Sequence, residues 1–224
     1  MMTVRQRQQL SQSQEDYLKA LYELGARARG PVGTNELSER LGVSAPSAAQ
    51  MLSRLADLGL VRHDRYRGAA LTEAGSAVAL EMVRHHRLLE MYLAQALGYR
   101  WDEVHDEAER LEHVISERME QRIYDALGRP GLDPHGDPIP GPAGELAAAP
   151  GRPLHECKSG ETVRVVRVSD RDPGKLRELS RLGLTLGASV ELVRESLYEG
   201  PLSVRIDGKR RQVALGVARA VFVS

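Results

Sequence analysis

The stretch TNELSERLGVSAPSAAQMLSRLADLGLV, residues 34–61, decides how the rest of the chain is read. Leu37 and Leu41 stand four apart, so they share one helical face. Thr34 is placed to cap that helix, and Gly42 to end it in a left-handed conformation. Val43 is expected in the core beneath the turn. Ser44 then caps a second helix with Pro46 in its first turn, where a missing N–H does no harm. Met51, Leu55 and Leu58 are its expected buried positions, while Ser44, Ser47 and Gln50 lie on the open side. Ala45, Ala48 and Ala49 are small enough for close approach to a groove.

Upstream, the spacing of Tyr17, Leu18, Leu21 and Leu24 predicts an amphipathic helix over about 12–26. Downstream, VRHDRYRGAALTEAG (61–75) predicts strand, basic turn and strand, with Thr72 capping the next helix. Helix, short turn, helix and hairpin together make the pattern of a winged helix-turn-helix. Gln50 is placed to meet a base edge, and Arg65, Tyr66 and Arg67 on the wing to meet phosphates. The plainer alternative is a helical hairpin serving only as scaffold. A polar open face beside a basic wing favours double-stranded DNA as the partner.

Further on, HDEAERLEHVISE (105–117) puts His105, Glu109, Glu112 and His113 at i, i+4, i+7 and i+8, the usual template for an apolar stripe. A single helix is expected over 103–127. Its apolar side, Val104, Ala108, Leu111, Ile115 and Met119, borders that arc, so the four polar groups flank a buried seam. Two carboxylates and two imidazoles are costly to desolvate there without a partner. A divalent cation removes the cost; a solvated face interleaved with Arg110 and Arg118 is the alternative. A second long helix is expected over 71–98, with His86 and Glu90 as i, i+4 neighbours. Its surplus apolar positions, Leu88, Leu89, Tyr92 and Leu93, suggest a dimer seam, and a two-fold dimer suits an inverted-repeat operator.

The chain has 224 residues and no net charge, but the charge is unevenly spread. Residues 1–75 hold ten basic against eight acidic side chains, and residues 76–128 hold six against eleven, so acidity gathers where the cation is expected. One cysteine, Cys157, excludes an intrachain disulfide framework. The amino end lacks an apolar core and no run approaches 18 apolar residues, which predicts neither signal peptide nor membrane span, and a cytoplasmic protein. Residues 128–153 hold seven of the eleven prolines and read as a linker. Beyond it, ETVRVVRV, SVELVRES, LSVRI, RQVAL and AVFVS are short strand-like runs, and IDGK (206–209) signals a hairpin. The expected fold is mainly α with a small β-barrel. The parts are a DNA-binding domain over 1–75, a helical metal-binding and dimerisation domain over 76–145, and the barrel over 146–224.

SQEDYLKALYEL (13–24), the helix-turn-helix, VRHHRLLE (83–90), VHDEAERLEHVISE (104–117) and DPHGDPIP (133–140) together resemble the diphtheria-toxin-repressor family of metal-dependent transcriptional repressors. The resemblance implies an SH3-like carboxy-terminal barrel and two metal sites. One site would use Asp16, Glu109, Glu112 and His113; the other would use His86, Glu90 and His105. An ungapped count places Asp172 as a barrel contribution to the second site, with Lys175 at the next matching position. Ser44, Pro46, Ser47 and Gln50 match the family's DNA-facing positions.

Two departures bear on the metal. Iron-sensing members carry Met and Cys where this chain has Asp16 and Glu109, and carboxylates favour a harder ion, so manganese(II) leads and iron(II) follows. Short manganese sensors carry an acid at the position of Lys19, so their paired-metal arrangement is not expected here. The reading is a metal-sensing repressor that controls metal-homeostasis genes and is not an enzyme. Its rivals are a di-metal hydrolase and a winged-helix regulator answering a small organic ligand. The hydrolase finds no G-x-S-x-G, P-loop or H-E-x-x-H in the sequence.

Overall fold

The computed structural model describes residues 10–28, 30–64, 67–170, 172–194 and 200–224. They fall into two compact units. The first takes in the described residues up to His85, with Glu112–Val114 and Pro140–Glu145; the second takes in His86–Leu111, Ile115–Ile139 and Leu146–Ser224.

The first unit holds α1 (Gln12–Ala28), α2 (Thr34–Leu41), α3 (Ala45–Asp57), β1 (Val61–Asp64), β2 (Gly68–Leu71) and the start of α4 (Glu73–Leu97). Gly42 ends α2 at φ 65°, and the Ser44 hydroxyl accepts the Ser47 N–H to start α3. The Thr72 hydroxyl accepts the Gly75 N–H at the start of α4. Strands β1 and β2 pair antiparallel from Val61↔Leu71 to Asp64↔Gly68, which is the expected wing. Leu18, Leu37, Leu52, Leu55 and Leu60 are buried together.

Five local expectations fail here. The α2 N-cap is Gly33, with no side-chain bond, so Thr34 is the first helical residue and no cap. Val43 and Leu58 are exposed, and Met51 is only half-buried. Instead Leu52 and Ala48 are fully buried, which turns the apolar face of α3 by one position and takes Ala48 off the open side. Arg65 and Tyr66, expected on the wing, lie outside the described residues.

The second unit continues α4 and adds α5 (Val104–Leu111) and α6 (Glu117–Ala126). The one helix expected over 103–127 is therefore two. Ser116 is extended, at φ −86° and ψ 154°, and its hydroxyl accepts the Met119 N–H, so it starts a new helix where the old one was expected to run on. Leu88, Leu89 and Leu93 are buried in this unit's own core with Val104, Ala108, Ile115 and Ile123, so they do not supply a free seam. Met119 is exposed and joins Tyr92, Ile123 and Ala126 around a shallow groove.

The carboxy-terminal part packs α7 (Pro173–Leu182) and the short α8 (Leu215–Ala218) with six strands. The strands are β3 (Arg152–Pro153), β4 (Thr162–Val168), β5 (Ser189–Arg194), β6 (Leu202–Ile206), β7 (Lys209–Val213) and β8 (Val221–Val223). Their order is β3-β8-β4-β5-β6-β7. No ladder joins β3 to β7 among the described residues, so the sheet is open and the expected closed barrel is not seen. Asp207 and Gly208, both at positive φ, turn β6 into β7 as IDGK predicts.

Candidate metal centre

The break after α5 builds the first cluster. Residues 112–114 form a turn instead of a helix, which frees the Glu112 carbonyl to accept a bond from buried His85 Nδ1 at 3.0 Å. That turn brings Glu112 and His113 to Asp16 on α1, all three within the first unit. His113 Nε2 stands 2.9 Å from Asp16 Oδ1 and 3.6 Å from Glu112 Oε1. Its Nδ1 stands 2.7 Å from Glu15 Oε2. Lys19 Nζ donates to both Glu112 oxygens at 2.8 Å, in a pair that is buried on both sides.

Burial lowers the His113 pKa, but bonds to Asp16 and Glu15 and the charges of Glu112 and Asp16 outweigh it, raising the group to about 9. At neutral pH both ring nitrogens therefore carry protons and donate to carboxylates. Three carboxylates, Lys19 and the imidazolium leave one net negative charge among these five groups. Loss of the Nε2 proton leaves two, which a divalent cation balances. Glu15 would keep Nδ1–H in place, the outer partner that fixes a ligating imidazole's tautomer. Two carboxylates and one imidazole suit a hard or borderline divalent ion.

The second cluster lies within the second unit. His86 Nε2 stands 3.0 Å from Glu90 Oε1 and 3.1 Å from His105 Nδ1, and His105 Nδ1 stands 3.3 Å from Glu90 Oε1. Asp170 Oδ2 is 3.9 Å from His105 Nδ1 and completes the group. Burial alone would raise the Glu90 carboxyl, yet His86 and the neighbouring imidazoles hold it well below the usual range. Two imidazole nitrogens thus converge on one carboxylate oxygen. A cation would use both lone pairs.

Of the eight expected ligands, Asp16, Glu112 and His113 meet in one cluster, and His86, Glu90 and His105 in the other. Glu109 belongs to the second unit, where its carboxylate is 3.8 Å from His105 Nε2. Asp172 joins neither: its side chain accepts the Lys175 N–H as the N-cap of α7, and Lys175 Nζ lies 3.7 Å away. Asp170, two residues earlier, reaches the cluster. In SDRDP the second Asp precedes a helix-starting Pro and is engaged in capping, which leaves the first one free for the site. Glu15 was also missed, with only its place beside Asp16 as a signal.

The expected DNA-facing residues Ser44, Pro46, Ser47 and Gln50 are all exposed on α3, as is Arg67 on the wing. The Ser44 and Ser47 hydroxyls are 2.8 Å apart, so the cap and the open face share one small polar patch.

Comparison with known proteins accounts for most of the chain. Residues 9–69 match the iron dependent repressor N-terminal DNA binding domain. Residues 72–141 match the iron dependent repressor metal binding and dimerisation domain, and residues 152–224 match the FeoA domain. The iron-dependent repressor IdeR of Mycobacterium tuberculosis (strain ATCC 25618 / H37Rv) is 41% identical over 133 residues, which spans 59% of this chain and 57% of that protein. The diphtheria toxin repressor of Corynebacterium glutamicum is 30% identical over 220 residues, 93% of this chain and 94% of that protein. A manganese-dependent transcriptional repressor solved in complex with manganese superposes with a TM-score of 0.85 at 43% identity, over 94% of this chain and 98% of that one. The manganese regulator SloR follows at 0.78 and 31%, over 94% and 97%. With its DNA-binding, metal-binding and FeoA matches in that order, the chain belongs to the diphtheria-toxin-repressor family of metal-dependent transcriptional repressors.

Proposed function

We propose that the chain is a transcriptional repressor whose hold on operator DNA depends on a divalent metal, manganese(II) first and iron(II) second. The observation that carries this is the Asp16–Glu112–His113 cluster. One of its ligands lies on the first helix of the DNA-binding part, and the other two lie in the turn between α5 and α6. When bound, a divalent ion there supplies the positive charge that lets Asp16 and Glu112 approach without repulsion. Asp16 then anchors α1, His113 holds its Nδ1 proton on Glu15, and the position of α3 for the groove follows from the position of α1.

Glu109 enters the regulatory set on the family resemblance alone. His86, Glu90, His105 and Asp170 form the ancillary set, which tunes the switch. Gln50 reads a base edge, Ser44, Pro46 and Ser47 line the same face, and Arg65 and Arg67 meet phosphates. The functional parts are 1–75, 76–145 and 146–224, the last an SH3-like module. The working form is a homodimer on an inverted-repeat operator in the cytoplasm, with its seam in the groove of Tyr92, Met119, Ile123 and Ala126. Among the described residues no helix is long and apolar enough to cross a membrane.

The test is an operator shift assay in chelator, in manganese(II) and in manganese(II) with Asp16→Ala. Binding in manganese alone supports the proposal. Equal binding in all three lanes contradicts it.

A further inference from the structure

On α1, Glu15, Asp16 and Lys19 stand at i, i+1 and i+4, and each meets Glu112 or His113 in the turn after α5. All five residues belong to the first unit. Lys19 is 5% exposed and Glu112 0%. Lys19 Nζ donates to Glu112 Oε1 and to Oε2, each at 2.8 Å. A carboxylate buried this deeply is costly without a positive partner. In the metal-free chain the Lys19 ammonium is such a partner. Glu112 Oε1 also stands 3.6 Å from His113 Nε2, which in turn stands 2.9 Å from Asp16 Oδ1. The oxygen that faces the ligand nitrogen is therefore one that the lysine already holds.

Glu112 Oε1 thus has two claimants. A divalent ion held by Asp16 and His113 needs it, and Lys19 is bonded to it. An ion on Oε1 takes over one of the two Lys19 hydrogen bonds and shares a carboxylate with a like charge. Both costs fall on the metal-bound form alone. The proton on His113 Nε2 can leave when an ion arrives, whereas the ammonium is attached to α1 and stays beside the site. Without Lys19 the metal-free cluster would be more negative by one charge, and so a stronger attractor for any divalent ion. A group that stabilises only the metal-free form weakens metal binding by the same factor.

We propose that Lys19 is an internal cation that competes with the divalent ion for Glu112 and so sets the manganese concentration at which the repressor switches. The inference rests on the regulatory site proposed above and adds its threshold. Before metal arrives, the ammonium ties Glu112 and the turn at 112–114 to α1. An incoming ion must then displace a charge already in place. Lys19 is a positioning residue here, since it acts on the ion through Glu112 and is not itself a ligand.

The test uses the full chain with manganese(II) as probe and no DNA. Equilibrium dialysis of the wild type, Lys19→Met, Lys19→Gln and Lys19→Arg, each with and without Asp16→Ala, isolates the Asp16-dependent component of binding. That component should tighten roughly a hundredfold in Lys19→Met, the affinity equivalent of one broken buried ion pair, and Lys19→Gln should follow it. Lys19→Arg keeps the charge and a two-pronged grip on the carboxylate, so its affinity should stay at or below that of the wild type. Half-saturation of the operator shift should move to lower manganese by the same factor as the affinity. Equal tightening in Lys19→Arg would trace the effect to packing and overturn the inference. Should Lys19→Met fail to fold in chelator, Lys19→Gln carries the measurement, and failure of both to fold even in saturating manganese overturns the exchange of one cation for the other. Asp16-dependent binding that neither Lys19→Met nor Lys19→Gln tightens overturns this inference alone, whereas no Asp16-dependent binding in the wild type overturns the regulatory site with it.

Discussion

Lys19→Met is the sharpest perturbation of the regulatory cluster. Lys19 Nζ lies 2.8 Å from both Glu112 oxygens, with side chains 7% and 0% exposed. Removing one partner of a buried ion pair costs roughly 3–5 kcal/mol, because the other charge stays behind uncompensated. Here protonated His113 remains 3.6 Å from Glu112 Oε1, so the loss belongs at the low end, about 3 kcal/mol. A chain of this size loses roughly 2–4 °C of melting midpoint per kcal/mol, which puts the fall at about 6–12 °C in chelator. With saturating manganese(II) the bound cation takes over the charge that Lys19 supplied, and most of the difference between variant and wild type should vanish. Thermal unfolding followed by circular dichroism, in chelator and in manganese, measures both numbers. An equal fall under both conditions would mean that Lys19 is a structural partner unrelated to metal. No fall in chelator would refute the charge argument itself.

Other consequences follow from the same geometry. Gln50→Ala should weaken operator binding while leaving manganese affinity without DNA unchanged, and Arg67→Ala should lower the log–log salt slope of binding by about one; filter binding across a salt series reads both. A cation at His113 Nε2 displaces a proton from a group whose pKa is raised to about 9. Apparent manganese affinity should therefore rise by about tenfold per pH unit up to that point and flatten above it, as an electron-resonance titration would report; a flat profile between pH 7 and 8.5 would remove His113 from the ligand set. Asp16→Met with Glu109→Cys should shift activation of DNA binding from manganese toward iron(II) or cobalt, read by activation and not by affinity, which follows the Irving–Williams order regardless.

Much of the DNA-binding part was legible because its signals are local. Gly42 needs a left-handed turn, Ser44 and Thr72 are caps, and both act within three residues. The exposed Val43 and Leu58 show the limit: an apolar residue at the edge of a stripe can face solvent when its neighbour, here Leu52, fills the core. The metal ligands were legible as residue types because carboxylates and imidazoles stood in apolar positions. Their geometry was not, since a single helix over 103–127 hides the turn at 112–114 that brings Glu112 and His113 to Asp16. The Ser116 cap was the available warning. Asp170 was lost to an ungapped count that landed on the α7 cap. The burial of Asp133 and His135 was hidden by composition, because a run rich in Pro and Gly reads as linker.

The central claim is that metal and operator bind as one coupled event through Asp16, Glu112 and His113. Linkage requires operator DNA to tighten manganese by the same factor that manganese tightens DNA. The direct measurement is manganese(II) affinity of the full chain with and without a saturating operator duplex, with Asp16→Ala as control. The account predicts tightening of roughly 5–150-fold in the wild type, the range of a 1–3 kcal/mol coupling, and none through the altered site in the control. Equal manganese affinity with and without operator would contradict it.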